Sequence, residues 1–204
     1  MTQWNFVNSS GVLQLPALSQ FVVTANGNAV PVQGMGFKRR PLYAPLAQRD
    51  LRIANFIYLN LATPLPDNAT VVVANPTTLL WGPGSSYTAK ADPMRYSPAI
   101  HVNQEGYVPA FAKKAMIGYF IGSFGEMDVP ASSGFKLVDA ASGNEVFQGT
   151  LKARADVGFT YTPTPYQKVV EADFTGFKQA GEYRLVVPGL GASLPFLIDD
   201  GIAM

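Results

Sequence analysis

Apolar residues return at every second position along most of this chain, and no stretch holds the three- and four-residue spacing of a helix for more than a turn or two. That periodicity restricts the chain to sheets. Phe21-Val22-Val23-Thr24-Ala25 runs into Asn26-Gly27-Asn28 and leaves through Ala29-Val30-Pro31-Val32. An Asn-Gly pair supplies the positive φ angles of a two-residue turn, so a hairpin is predicted there. Leu51 to Leu61 is the longest predicted strand, with Leu51, Ile53, Ile57, Leu59 and Leu61 toward the core and Arg52, Tyr58 and Asn60 outward. Pro64-Leu65-Pro66-Asp67-Asn68 then turns the chain into Ala69-Thr70-Val71-Val72-Val73, and a further strand is expected near Ser86 to Lys90.

A single β-sandwich takes about 100 residues, and the chain has 204. Two domains follow. Asp92-Pro93-Met94-Arg95-Tyr96-Ser97-Pro98 is the best linker, because its two prolines cannot donate to a ladder and hold their predecessors extended. The expected domains are therefore 1–97 and 98–204. In the second, strands are predicted near 99–104, 113–121, 134–139, 145–151, 167–172, 182–187 and 194–198, a spacing that suits a Greek-key sandwich. The fold class is all-β, with two tandem β-sandwich domains. The 19 glycines and 16 prolines suit a chain of short strands and tight turns.

Charge excludes several functions. The net charge is +1, and Lys38-Arg39-Arg40 is the only basic run. A nucleic-acid binder carries a broad basic stripe, so no nucleic-acid partner is expected and the triplet reads as a solvated strand end. No apolar run reaches the roughly 20 residues of a membrane helix, so no membrane partner is expected either. The chain has no cysteine and one histidine, His101. A transition-metal site would have to be mostly carboxylate, and no Asp-x-Asp-x-Asp-Gly calcium loop occurs. We therefore assign no metal site and no cofactor, while loop oxygens alone would suffice for calcium. The residues from Met1 to Asn5 lack the charged and apolar regions of a signal peptide.

Catalytic chemistry is equally thin. Hydrolysis of a glycosidic bond needs two carboxyl groups flanking it, about 6.5–9.5 Å apart for inversion. The acids here are scattered singly, apart from Asp199-Asp200, and one histidine gives no Ser-His-Asp set. No catalytic residue is assigned. Asp173 is expected to pin the Phe174–Phe177 turn through its carboxylate. Tyr183, sharing a face with Leu185 and Val187, suits either a tyrosine corner or plain core packing.

Aromatic rings remain as contact groups, since sugars stack on exposed Trp and Tyr, and the rings that come into question are Trp4, Tyr43, Tyr58, Trp81, Tyr87, Tyr161 and Tyr166. Trp81 lies in Leu79-Leu80-Trp81-Gly82-Pro83-Gly84 and is more often core than platform in such a run. Tyr161-Thr162-Pro163-Thr164-Pro165-Tyr166 is a stiff loop carrying two tyrosines, a contact surface for glycan or protein or else a packed crossover. Tyr161, Tyr166 and Trp81 are the candidate glycan contacts.

One run is more specific than all of these. Ile100-His101-Val102-Asn103-Gln104-Glu105-Gly106-Tyr107-Val108-Pro109 is followed by Lys113-Lys114-Ala115, then by Phe135-Lys136-Leu137-Val138-Asp139 with Ser142-Gly143 and Glu145-Val146-Phe147. Glu171-Ala172-Asp173-Phe174, Ala180-Gly181-Glu182-Tyr183-Arg184-Leu185-Val186-Val187 and Leu194-Pro195-Phe196-Leu197-Ile198 complete the set. In order and spacing this resembles the N-terminal immunoglobulin-like module of family-nine glycoside hydrolases, over about residues 98–199. Residues 1–97 lie outside it.

The resemblance implies an immunoglobulin-like second domain and a non-catalytic accessory region of a polysaccharide-degrading, cellulase-like enzyme. Its partner would be the catalytic barrel of the same polypeptide, with polysaccharide as a second partner. Asn103, Gln104 and Tyr107 are the expected domain-interface residues, although Asn103 and Gln104 can equally satisfy backbone within their own domain. A secreted or periplasmic bacterial location goes with that reading. A carbohydrate-binding module, or a structural or adhesive protein of tandem immunoglobulin-like domains, are the alternatives.

Overall fold

The computed structural model describes residues 6–43, 52–154 and 168–203. It is all-β, with short 3-10 turns at Leu18–Gln20, Gly122–Phe124 and Asp200–Ala203. The chain forms two compact units: residues 1–91 together with 121–125, and residues 92–120 together with 126–204.

The first unit holds β1 (Val22–Ala25), β2 (Asn28–Ala29), β3 (Val32–Tyr43), β4 (Arg52–Leu61), β5 (Thr70–Ala74) and β6 (Ser86–Lys90). β2, β1, β5 and β6 form one antiparallel sheet in that order, and among the described residues β3 pairs only with β4. The predicted hairpin is present: Ala25 pairs Asn28, and Asn26 and Gly27 hold φ of 50° and 81°, as a two-residue Asn-Gly turn requires. Asn26 Oδ1 also accepts the Thr70 amide at 2.9 Å, which fixes the hairpin against β5. Phe6, Phe21, Met35, Phe37, Leu80 and Trp81 are the buried core, with Ile57, Leu59 and Val73 packed against it.

One predicted core position is corrected. Ile53 is 46% exposed. The β3–β4 ladder continues out to the Pro41–Ile53 and Tyr43–Arg52 pairs, whereas β1 has four residues and β5 has five. The shorter sheet cannot cover the far end of the longer hairpin. Leu51 lies outside the described residues.

The strip Ile121–Gly125 belongs to this unit. Ser123 Oγ accepts the Phe37 amide at 3.0 Å, and the Phe124 ring lies against Gly34 and Gly36 on the face of β3 opposite Met35 and Phe37. Gly122, at φ +65°, leaves no room for a Cβ beside the Phe37 carbonyl. The same covering explains why Tyr58, which pairs with Gly36 and was expected to face solvent, is only partly exposed.

The second unit holds β7 (Ile100–His101), β8 (Lys114–Ile117), β9 (Gly134–Asp139), β10 (Glu145–Thr150), β11 (Lys152–Ala153), β12 (Val170–Asp173), β13 (Gly181–Val187), β14 (Gly191–Ala192) and β15 (Phe196–Ile198). One sheet runs β10-β9-β13-β14, with β15 also on β13, and the other runs β11-β12-β8-β7. All these strand pairings are antiparallel. Alternation does the packing: Ala115, Ile117, Val170 and Ala172 from one sheet meet Phe135, Leu137, Leu185 and Val187 from the other in one buried cluster. Two facing antiparallel sheets around one apolar layer make an immunoglobulin-like sandwich.

Two predicted strands are shorter than expected. The run at 99–104 is extended-paired only at Ile100–His101, because Asn103 starts a side-chain-pinned turn and Gly106 takes φ +110°. The run at 113–121 ends at Ile117, ahead of the strip that joins the first unit. Tyr183 is a tyrosine corner: it is 2% exposed, and its hydroxyl donates to the Ala180 carbonyl at 3.2 Å. A side chain on Gly181 would collide with that hydroxyl.

Candidate functional site

Two places in the structure gather the residues with contact chemistry. The first is the loop that follows β7. Asn103 Nδ2 donates to the Gly106 carbonyl at 2.7 Å, and its Oδ1 accepts the Glu105 amide at 3.1 Å. The Tyr107 hydroxyl accepts the Asn103 amide at 2.9 Å and donates to the Lys114 carbonyl at 2.8 Å. Burial pushes the Tyr107 phenol above its ordinary pKa, with the Asn103 amide opposing. Asn103 and Tyr107 thus shape the loop from inside, and Gln104 projects from it, exposed.

Gln104 lines a small cleft of about 120 Å³ with Tyr96, Ile100, His101, Val102 and Leu194. Tyr96 and Leu194 are 55% and 44% exposed. His101 Nε2 lies 3.1 Å from the Gly118 carbonyl, which orients the ring along β7. These groups form an apolar rim around one amide.

The loop's far end is held by Lys113, which is fully buried. Its Nζ donates to the carbonyls of Pro109 at 2.7 Å and Phe111 at 3.0 Å. Burial lowers its pKa, the neighbouring Lys178 lowers it further, and Asp173 acts in the opposite sense. Sequence reading passed over this lysine, because nothing in a Lys-Lys pair says which side chain turns inward.

The second place is a groove of about 360 Å³ in the first unit, where Trp81 and Tyr87 stand above Ile57 and Leu59. Trp81 is 9% exposed and belongs to the core, and its Nε1 donates to the Ser85 carbonyl at 2.8 Å. Tyr87 packs edge-on against it, centroids 5.3 Å apart, and is 60% exposed. Sequence reading singled out Trp81 and passed its more exposed neighbour without weighing it further. Tyr161 and Tyr166 lie outside the described residues.

The carboxylates have local partners. Asp173 Oδ1 accepts the Thr175 amide at 2.9 Å, as its turn-pinning role predicted, and Asp139 Oδ1 accepts both the amide and the hydroxyl of Ser142 at 2.7 Å. Both carboxyls are held below the ordinary carboxylate pKa, Asp173 by the Thr175 hydroxyl and amide, Asp139 by the Ser142 amide and hydroxyl. Glu171 pairs with Lys114 at 2.8 Å and Glu145 with Lys136 at 2.7 Å. Among the described residues no three of His, Asp or Glu gather in a way that would hold a metal ion. No helix among them is long and apolar enough to cross a membrane.

Residues 95–192 match the family model described as the cellulase N-terminal ig-like domain. No curated protein matches the chain. Among solved structures it is similar to a GH9 protein of Bacteroides ovatus, at 30% identity over 51% of this chain and 16% of that one, with a TM-score of 0.35. A metagenome-derived glycoside hydrolase family 9 endoglucanase is 27% identical over 49% of this chain and 18% of its own, with a TM-score of 0.37. The GH family 9 endoglucanase J30 is 30% identical over 45% of this chain and 14% of its own, with a TM-score of 0.31. The chain thus spans less than a fifth of the length of each. The resemblance carried by Ile100 to Pro109 is borne out: the cellulase N-terminal ig-like domain model matches residues 95–192, which fall in the second unit apart from 121–125.

Proposed function

We propose that this chain is a non-catalytic accessory region of a polysaccharide-degrading glycoside hydrolase, and that its second unit supports a catalytic barrel in the same polypeptide. The observation that carries the reading is the family match over residues 95–192. The contact face is the cleft beside β7. Tyr96 and Leu194 expose apolar surface there, and covering such surface is favourable by about 25 cal/mol per Å². Gln104 supplies the one amide on that face that can bond a partner's backbone, and Asn103 and Tyr107 hold its loop in shape. A polymeric substrate lies outside the cell, so a secreted or periplasmic location goes with this reading.

The test compares the intact polypeptide with a version carrying Tyr96→Ser, Gln104→Ala and Leu194→Ser. The catalytic domain's unfolding temperature is expected to fall while the 204-residue chain alone keeps its own. Equal unfolding temperatures in the two intact versions would defeat the proposed face. A reading frame with no hydrolase domain would defeat the function itself.

A further inference from the structure

The first unit lies outside the matched family segment, apart from 121–125, yet it contains the groove with the better-formed chemistry. β6 and β4 are outer strands of its two sheets, and the inward residues of β4 between them are only half-buried. The resulting volume, about 360 Å³, falls at the lower end of the range for small-molecule sites.

Three features of the lining narrow the ligand. One wall is a rigid aromatic row, in which Phe21 lies 6.1 Å from Trp81 and Trp81 5.3 Å from Tyr87. The Trp81–Ser85 hydrogen bond prevents that row from collapsing into the space. Two polar groups stand in the lining with bonding capacity to spare. Asn55 Oδ1 accepts Arg39 Nε at 2.8 Å, which leaves its Nδ2 without a partner among the described residues, and the Tyr87 hydroxyl is likewise unengaged there. The lining carries no charged side chain. A carboxylate or phosphate entering it would lose water against a lining without charge, since Arg39 is not among the lining residues and its Nε is engaged by Asn55.

A neutral ring with an apolar face and a hydroxyl-bearing edge satisfies all three conditions. We propose that this groove is a sugar-binding subsite that takes one pyranose unit of a neutral polysaccharide, its C–H face on Tyr87 and its hydroxyls toward Asn55 Nδ2. This rests on the accessory reading above, and gives the first unit the task of holding the polymer. Stacking on an aromatic face supplies the apolar contact, and the amide supplies orientation.

The experiment is a titration of the full chain with a soluble β-1,4-linked glucose hexamer, followed by the NMR signals of the Trp81 indole N–H and the Asn55 carboxamide. Saturable shifts of both are expected at millimolar sugar. Tyr87→Ala, at an exposed position, is expected to weaken binding about tenfold, near the upper value of one aromatic contact. Tyr87→Phe, which keeps the ring, is expected to change it less than threefold, about 0.6 kcal/mol. Absence of saturable shifts would overturn the proposal, as would binding that survives Tyr87→Ala unchanged. Shifts produced by an apolar dye but not by the hexamer would also overturn it, assigning the groove to an apolar partner. None of these failures touches the family match or the stability test of the second unit, so the two readings fail separately.

Discussion

The Phe124 ring fills the space in which a side chain on Gly36 would stand. Phe124 is 40% exposed, so the ring acts as a lid on the outer face of β3 rather than as a core residue. Gly36→Ala is expected to destabilise the first unit by about 1–3 kcal/mol, the usual cost of overpacking. Phe124→Ala empties the same space, so the double variant should cost about 1 kcal/mol less than the sum of the single ones. Denaturant unfolding of the three variants measures this. Strict additivity would mean that the strip 121–125 does not rest on Gly36.

Asn75 joins two turns of the first unit. It is 5% exposed, its Nδ2 donates to the Gln20 carbonyl at 2.7 Å, and its Oδ1 accepts the Leu80 amide at 2.8 Å. Asn75→Ala removes both of these bonds near Trp81. A loss of about 1–3 kcal/mol is expected in denaturant unfolding, together with a changed Trp81 emission, because Leu80 and Trp81 depend on that bond for their position.

Tyr107 offers a cleaner deletion. Its hydroxyl bridges the Asn103 amide and the Lys114 carbonyl, while its ring packs edge-on against Phe174 and Phe196. Tyr107→Phe keeps the packing and removes the bridge. The expected cost is about 1–3 kcal/mol, since two partly buried groups lose one partner, and amide exchange at Asn103 should accelerate. Unchanged exchange would show that water takes the hydroxyl's place.

The second unit was more legible in sequence than the first, and the reason is local. Gly181, Tyr183, Asp173 and the Ser142-Gly143 turn each carry their structural role in adjacent residues, so period and turn chemistry suffice. The pairing of Gly36 with Phe124 joins positions far apart in the chain, and no local signal announces it. Gly34 and Gly36 read as weak strand residues until the ring that covers them is known. Trp81 was legible as core from its flanking leucines, but Tyr87 gains its meaning only from standing next to Trp81. Lys113 is a mixed case, because its ammonium bonds two carbonyls of the residues just before it, whereas its backbone amide bonds the Thr175 hydroxyl far along the chain.

Acid should weaken the second unit through two carboxylates. Asp139 and Asp173 are both held below the ordinary value of 3.8 by hydrogen bonds that need the charged form. A depressed folded pKa means that the unfolded chain binds the proton first. Their contribution is therefore fully present above that value and is lost as pH falls through the folded pKa. Asp173→Asn should flatten the acid limb of a stability–pH curve by lowering its neutral plateau toward the acid value, where the wild-type carboxyl is protonated too. An unchanged acid limb would assign the loss to other groups.

At alkaline pH the same sign holds for a buried cation, and Lys113 supplies the test. Burial lowers its pKa below the ordinary 10.5. Between the folded pKa and that value the unfolded chain keeps a proton that the folded chain has released, so stability rises with pH across that window. Tyr107 and Tyr183, whose pKa values are raised above 10.0, act oppositely, because the unfolded chain releases their protons first. Lys113→Met separates the two effects, since it removes the lysine's titration and leaves both tyrosines. It also strips the Pro109 and Phe111 carbonyls of their donor, for an expected loss of about 1–3 kcal/mol at neutral pH. Denaturant unfolding between about pH 8 and 11, the range of lysine and tyrosine titration, should show the variant losing the rise and keeping the fall. A parallel pair of curves would mean that Lys113 releases its proton at the same pH folded and unfolded, with its two carbonyl bonds fully offsetting its burial.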